Sequence, residues 1–112
     1  MSRKEFVHLH LHSDFSLLDG AIQHDALAEH ASKLGFSAMA ATDHGNMFGA
    51  MSFYNSMKKQ NVRPIIGMEA YVARGSMHER GANTEGEKGT NHLILLAKNQ
   101  TGYCLLYTSR CV

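Results

Sequence analysis

Two short apolar runs, each preceded by a stretch of helical periodicity, constrain the fold of this chain more than any other feature. Phe36 to Ala41 is continuous, small and apolar, and Pro64 to Met68 repeats the pattern with its proline at the entrance. Uninterrupted runs of this length fit strands buried on both faces. Leu27, Ala28, Ala31 and Leu34 precede the first run at helical spacing within 24–34, and Gly35 stands where a helix end takes a left-handed residue. Asn46 is a plausible N-cap for a second helix, with Met47, Ala50, Met51 and Tyr54 as its inward stripe and Lys58-Lys59 closing it. Phe6 to Leu11 alternates apolar side chains with imidazoles and reads as an opening strand, and His92 to Ala97 reads as a fourth. Ala70 to Ala73 could extend the third strand, and 74–91, with four glycines, reads as a long loop. The order strand, helix, strand, helix, strand, loop, strand implies an α/β fold with parallel strands and crossover helices. Four strands do not close a barrel, so the pattern corresponds to the first part of an α/β barrel or open sheet, without an internal repeat.

Composition removes several function classes. In 112 residues, 44% are hydrophobic and 19% charged, which is globular and not disordered. Eleven basic and ten acidic side chains leave a formal charge of +1, unlike a protein that coats nucleic acid. No apolar run approaches the ~18 residues of a membrane span, and Met1-Ser2-Arg3-Lys4-Glu5 is followed by histidines instead of a signal-peptide core. Two cysteines give no disulfide framework, and seven methionines suit a reducing interior, so the expected compartment is the cytoplasm. There is no Walker loop, no GxGxxG after a strand, no CxxC pair and no nucleophile elbow beside Ser13 or Ser16.

Eight histidines remain to be explained, three of them in His8-Leu9-His10-Leu11-His12. Positions two apart on a strand share a side, so His10 and His12 can bracket one ion. The plain alternative for such a pair is hydrogen-bonded histidines, and His8, deeper along the strand, is read that way. Asp19 before Gly20 could be a turn residue; Asp43-His44 and Glu69 leave the C-terminal ends of the second and third strands. His92 opens the fourth. In parallel α/β folds, active sites assemble at the strands' C-terminal edge. Six residues mixing imidazole and carboxylate suit Zn²⁺, Mn²⁺ or Fe²⁺ better than Mg²⁺ and exceed the needs of one tetrahedral ion. At least two ions are therefore expected, with Glu69 as a candidate bridge. Two-metal sites typically hydrolyse phosphate esters, one ion activating the attacking water and the other stabilising the leaving oxygen. The stripe from Met47 to Tyr54 reads as core, and Lys58, Lys59 and Arg63 as a solvated helix end, with a DNA-backbone contact the alternative.

Four segments carry a family resemblance. Phe6 to Ser13 with Ser16-Leu17-Leu18-Asp19-Gly20 resembles the first motif of the PHP (polymerase and histidinol phosphatase) superfamily. Thr42 to Ala50 resembles its second motif in the form found in bacterial replicative polymerases, and Ile65 to Val72 and His92 to Asn99 resemble the next two. The resemblance covers roughly 5–103 and implies the first part of a distorted (β/α)7 barrel, incomplete at the C-terminus, with up to three divalent metal ions in the intact domain. Carried over, its ligands are His10, His12, Asp19, His44, Glu69 and His92, with Asp43 behind them orienting an imidazole. It further implies a DNA-directed DNA polymerase as parent, with a PHP 3′–5′ exonuclease-type site. The partners it implies are DNA and the replicase's proofreading and clamp subunits. A stand-alone PHP phosphatase of histidinol-phosphatase type and a non-catalytic PHP scaffold are the alternatives. The family's later motifs, an Asp-x-His pair and one further ligand, do not appear. Residues 1–103 are expected to form a partial PHP domain, inactive by itself. Residues 104–112, Cys104-Leu105-Leu106-Tyr107-Thr108-Ser109-Arg110-Cys111-Val112, resemble a read-through tail.

Overall fold

The computed structural model describes residues 6–73, 75, 76 and 91–108. Helix α1 (His24–Lys33) buries Leu27, Ala28 and Ala31 on one stripe and stops where the sequence predicts. Gly35 adopts φ +77°. Its N–H donates to the Ser32 carbonyl and that of Phe36 to the Ala31 carbonyl, both at 3.0 Å, a Schellman end that a Cβ would strain. Strand β1 (Ala38–Ala41) follows and is buried throughout.

Helix α2 (Ala50–Lys59) begins later than an Asn46 cap would set it, with Gly49 at its N-cap and no side-chain cap. Asn46 instead accepts from the Phe48 N–H at 3.1 Å through its own side chain, a local turn. The inward stripe shifts accordingly to Ala50, Phe53, Ser56 and Met57. Met51 and Tyr54, expected inside, are exposed and border an open cleft of about 1030 Å³ between α2, the next strand and the last helix. The core joins Leu27, Ala28 and Ala31 to Met39, Ala41, Phe53, Met57 and Val62. Ser56 Oγ donates to Asp25 Oδ1 at 2.5 Å and pins the two helices together.

Strand β2 (Arg63–Val72) pairs parallel with β1, Ala38 opposite Arg63 and Ala41 opposite Ile66. Strand β3 (Asn91–Leu96) pairs antiparallel with β2, Tyr71 opposite His92 and Gly67 opposite Leu96. The sheet order is β1-β2-β3, and an all-parallel arrangement does not form. The physical reason lies in the register: the first residue of β3, Asn91, stands opposite the last of β2, Val72, and a strand that starts beside its predecessor's end runs back alongside it. Helix α3 (Gln100–Thr108) buries no residue. It includes Cys104 to Thr108 of the read-through-like tail; positions 109–112 and most of the expected loop at 74–91 lie outside the described residues.

The opening segment departs from a regular strand. It lies beside β1 through Ala40 N–H to the His8 carbonyl and Thr42 N–H to the Leu11 carbonyl, both 2.8 Å. Two residues along β1 thus match three along the opening segment, the signature of a bulge. Leu11 N–H donates to Thr42 Oγ1 at 2.9 Å, a side chain standing in for a ladder carbonyl. His8 is exposed, with its ring edge-on to Phe6 and Phe36, away from the other two histidines of its motif.

Candidate metal centre

The strand ends bring the candidate ligands to one rim. An isolated parallel bridge pairs His44 with Glu69, with Glu69 N–H donating to the Asp43 carbonyl at 3.0 Å and Gly45 N–H to the Glu69 carbonyl at 2.9 Å. The side chain of Glu69, 3% exposed, is the hub. Its Oε2 lies 2.8 Å from His10 Nε2 and also meets His12 Nε2, while Oε1 meets His92 Nδ1 and stands 3.6 Å from His44 Nδ1. The antiparallel turn of β3 is what delivers His92: its strand runs away from the rim, but its first residues lie opposite the last of β2.

Asp19 is the second hub. Its Oδ2 lies 2.8 Å from His12 Nδ1 and 2.5 Å from His44 Nε2. The loop that presents it is closed by Asp14 N–H to the Ile22 carbonyl at 3.0 Å and Gly20 N–H to the Ser16 carbonyl at 2.8 Å. A Cβ on Gly20 would fall 1.8 Å from the Ser13 carbonyl oxygen, so only glycine lets the loop fold this tightly.

Among the described residues the Asp43 carboxylate meets serines where an imidazole is expected. Buried, it accepts from Ser13 N–H at 2.6 Å, Ser13 Oγ at 2.9 Å and Ser16 Oγ at 2.8 Å. Ser16 Oγ in turn accepts from His44 N–H at 3.1 Å. The carboxylate therefore fixes the Asp19 loop against the strand end that carries His44. Ser13 and Ser16 do not stand out in the sequence because serines in a loop resemble ordinary turn residues; their closeness to Asp43 exists only after folding. Tyr71, equally inconspicuous in the sequence, stacks parallel to His44 with centroids 6.2 Å apart and meets His92 edge-on at 5.0 Å.

Electrostatics at the two carboxylates favour the charged form. Burial would raise the Glu69 pKa, but hydrogen bonds from His10, His12 and His92 outweigh it and hold the group at about 2. Hydrogen bonds from His44 and His12 push Asp19 below its ordinary value.

Three groups of potential ligands result: His10, His12 and Glu69; His12, Asp19 and His44; His44, Glu69 and His92. Within each, one ligand atom per residue lies within 4.8 Å of the others. His10 Nε2 and His12 Nε2 are 3.3 Å apart, matching the edge of about 3.3 Å that metal–nitrogen bonds of about 2.0–2.1 Å give in a tetrahedron. Among the described residues His44 Nδ1 is buried without a hydrogen-bond partner, as a nitrogen kept for an ion would be. The mixed imidazole and carboxylate donor set fits a divalent metal ion. A neutral imidazole offers one lone-pair nitrogen, since the other carries the proton. His12 meets Glu69 through Nε2 and Asp19 through Nδ1, and His44 meets Asp19 through Nε2 and faces Glu69 through Nδ1, so each neutral ring can offer its lone pair on only one of these two sides.

The fold and this rim define a PHP domain, and the chain belongs to that family, which matches residues 8–110. It is 48% identical to DNA polymerase III subunit alpha of Aquifex aeolicus over 103 residues, 88% of this chain and 9% of that protein. To the same subunit of Helicobacter pylori strain 26695 it is 50% identical over 100 residues, 89% of this chain and 8% of that protein. The chain thus spans under a tenth of the length of these relatives. Among solved structures it resembles a putative metal-dependent phosphoesterase from Bifidobacterium adolescentis, with a TM-score of 0.64 and 20% identity over 93% of this chain and 32% of that one. A second is an amidohydrolase from Chromobacterium violaceum, with a TM-score of 0.63 and 21% identity over 89% of this chain and 31% of that one. Both likenesses support the mixed α/β fold.

Proposed function

We propose that this chain supplies part of a multi-metal PHP phosphoesterase site of 3′–5′ exonuclease type within a replicative DNA-directed DNA polymerase. The observation that carries the reading is the convergence of His10, His12, His44 and His92 on the Glu69 carboxylate, with Asp19 closing the far side. On this reading the chain is the first part of a distorted (β/α)7 barrel, a PHP portion over 1–103 with a non-native stretch at 104–112. His10, His12, Asp19, His44, Glu69 and His92 hold Zn²⁺ or Mn²⁺, with Asp43 behind them. Divalent ions bound there would supply Lewis acidity toward a phosphoryl oxygen and lower the pKa of an attacking water. The chain's own part is positional. Glu69 and Asp19 stay charged and attract cations, the imidazoles left neutral offer lone pairs, and the buried Asp43–Ser13–Ser16 network holds the loop against the strands.

DNA is the proposed substrate and partner, with the proofreading and clamp subunits of a replicase as further partners and the cytoplasm as the compartment. Among the described residues no helix is long and apolar enough to cross a membrane. The polymerase relatives favour this reading over a small-molecule phosphatase. The test uses the full-length protein and its His12→Ala variant, assayed for bound Zn or Mn and for degradation of single-stranded DNA from the 3′ end. Loss of nuclease with polymerisation kept is expected; metal-free, nuclease-free wild-type protein would leave only a scaffold.

A further inference from the structure

Beside the rim lies an apolar feature that the metal-ligand reading does not use. Leu17 is 85% exposed, Leu18 fully exposed and Phe48 83% exposed. Apolar side chains grouped in this way on a surface mark a binding site more often than chance. Leu18 also holds φ +66°, a left-handed conformation that a bulky residue occupies only at a cost in strain. Its neighbour Asp19 meets His12 and His44, so the strained residue and the candidate ligand are set by one turn. Next to it, Phe15, Leu17, Phe48, Asn46 and Asp14 line a hollow of about 290 Å³.

Asn46 joins this hollow to the metal centre. Its Nδ2 donates to the Phe15 carbonyl at 3.2 Å and to the His44 carbonyl at 3.0 Å, while its Oδ1 accepts from Phe48 N–H at 3.1 Å. One amide therefore fixes both walls of the hollow and the backbone of a candidate ligand. With those bonds made, the amide has little capacity left to read a ligand's hydrogen-bonding edge, and the walls offer contact and stacking. The volume is near the small end of ligand pockets, about 300 Å³, enough for one planar heterocycle. Asp14 at the lip disfavours a second phosphate.

We propose that this hollow takes the base of the nucleotide whose phosphate lies at the His–Asp–Glu cluster, an assignment that rests on the proposed phosphoesterase function. Stacking on Phe48 and Phe15 serves any base, so the subsite selects nucleotides over other phosphate esters without selecting sequence. The test uses the full-length protein loaded with Mn²⁺ and measures by calorimetry the affinities for inorganic phosphate, 2-deoxyribose 5-phosphate and dTMP. Wild-type protein is expected to bind dTMP about tenfold tighter than the base-free sugar phosphate, within the range of one base–aromatic stack. Phe48→Ala and Leu17→Ser, both at exposed positions, should abolish that preference and leave Mn²⁺-dependent phosphate binding unchanged. Equal wild-type affinities, or a preference that survives both variants, would overturn the hollow while the cluster reading stands, and the patch would then be a protein-docking surface. Phosphate binding that ignores Mn²⁺ would overturn the cluster reading and this assignment together.

Discussion

The two ends of the described chain are built differently, though both deliver residues to one site. From α1 to the middle of β2, α1, β1 and α2 enclose Ala28, Ala31, Phe53 and Met57 at 1% exposure or less. From β3 onward no side chain is buried among the described residues: β3 is held by its ladder to β2, and α3 lies exposed. Five of the six candidate ligands come from residues 10–69, and His92 alone comes from the exposed arm. Packing and chemistry are thus separable here. The core fixes where Asp43, His44 and Glu69 leave the sheet, whereas His92 depends on backbone pairing to Tyr71.

Substitutions that act on one end and not the other can break this contrast. The largest effect is expected at Phe53, fully buried between the helices and the sheet. Phe53→Ala should cost about 3–5 kcal/mol in urea unfolding, whereas Leu93→Ala, on the half-exposed strand, should cost less than about 1 kcal/mol. Equal losses would mean that β3 belongs to the cooperative core. Next is Asp43→Ala, which leaves three buried donors of Ser13 and Ser16 without their partner. A loss of about 2–3 kcal/mol is expected, together with weakened Mn²⁺ binding, because the Asp19 loop is freed. Unchanged metal affinity would show that the loop holds its place without the carboxylate. His92→Ala reverses the balance: stability should stay within about 0.5 kcal/mol and Mn²⁺ affinity fall about tenfold in calorimetric titration.

The same contrast explains what could be read from the sequence. Periodicity located α1, β1 and β2 because their faces are set by local burial, and the Gly35 stop follows from φ alone. The direction of β3 was not legible, since His92 to Ala97 has the same apolar pattern whichever way it runs, and only its register on β2 shows it. The bulge at 8–11 was hidden for the same reason: alternation records side-chain parity, not a one-residue slip against a neighbour. Convergence of the imidazoles and carboxylates was legible because strand-end residues share a rim. The Asp43 contacts were not, because an Asp beside a His could as easily orient the ring as clamp a loop far away in sequence, and spacing cannot separate the two.

The smallest effect sharpens the comparison from inside the packed end. His24 is buried, stacks on Phe15 with centroids 5.2 Å apart, and shares a hydrogen bond with Ser52 Oγ at 2.9 Å, while its Nε2 has no partner among the described residues. Burial lowers its pKa below 6.5, and the charges of Asp14, Asp43 and Asp25 offset this only in part. The folded chain therefore holds His24 neutral where the unfolded chain takes a proton, so protonation favours unfolding. Its contribution should be complete above about pH 6.5 and decline as pH falls below that value toward the folded pKa. Urea midpoints of the metal-free chain between about pH 5 and 7.5 measure this. His24→Leu, which keeps an apolar body between Phe15 and Phe53, should flatten the decline relative to wild type. An identical slope in both proteins would overturn the assignment of the acid sensitivity to His24, and with it the claim that burial in the packed end sets this pH dependence.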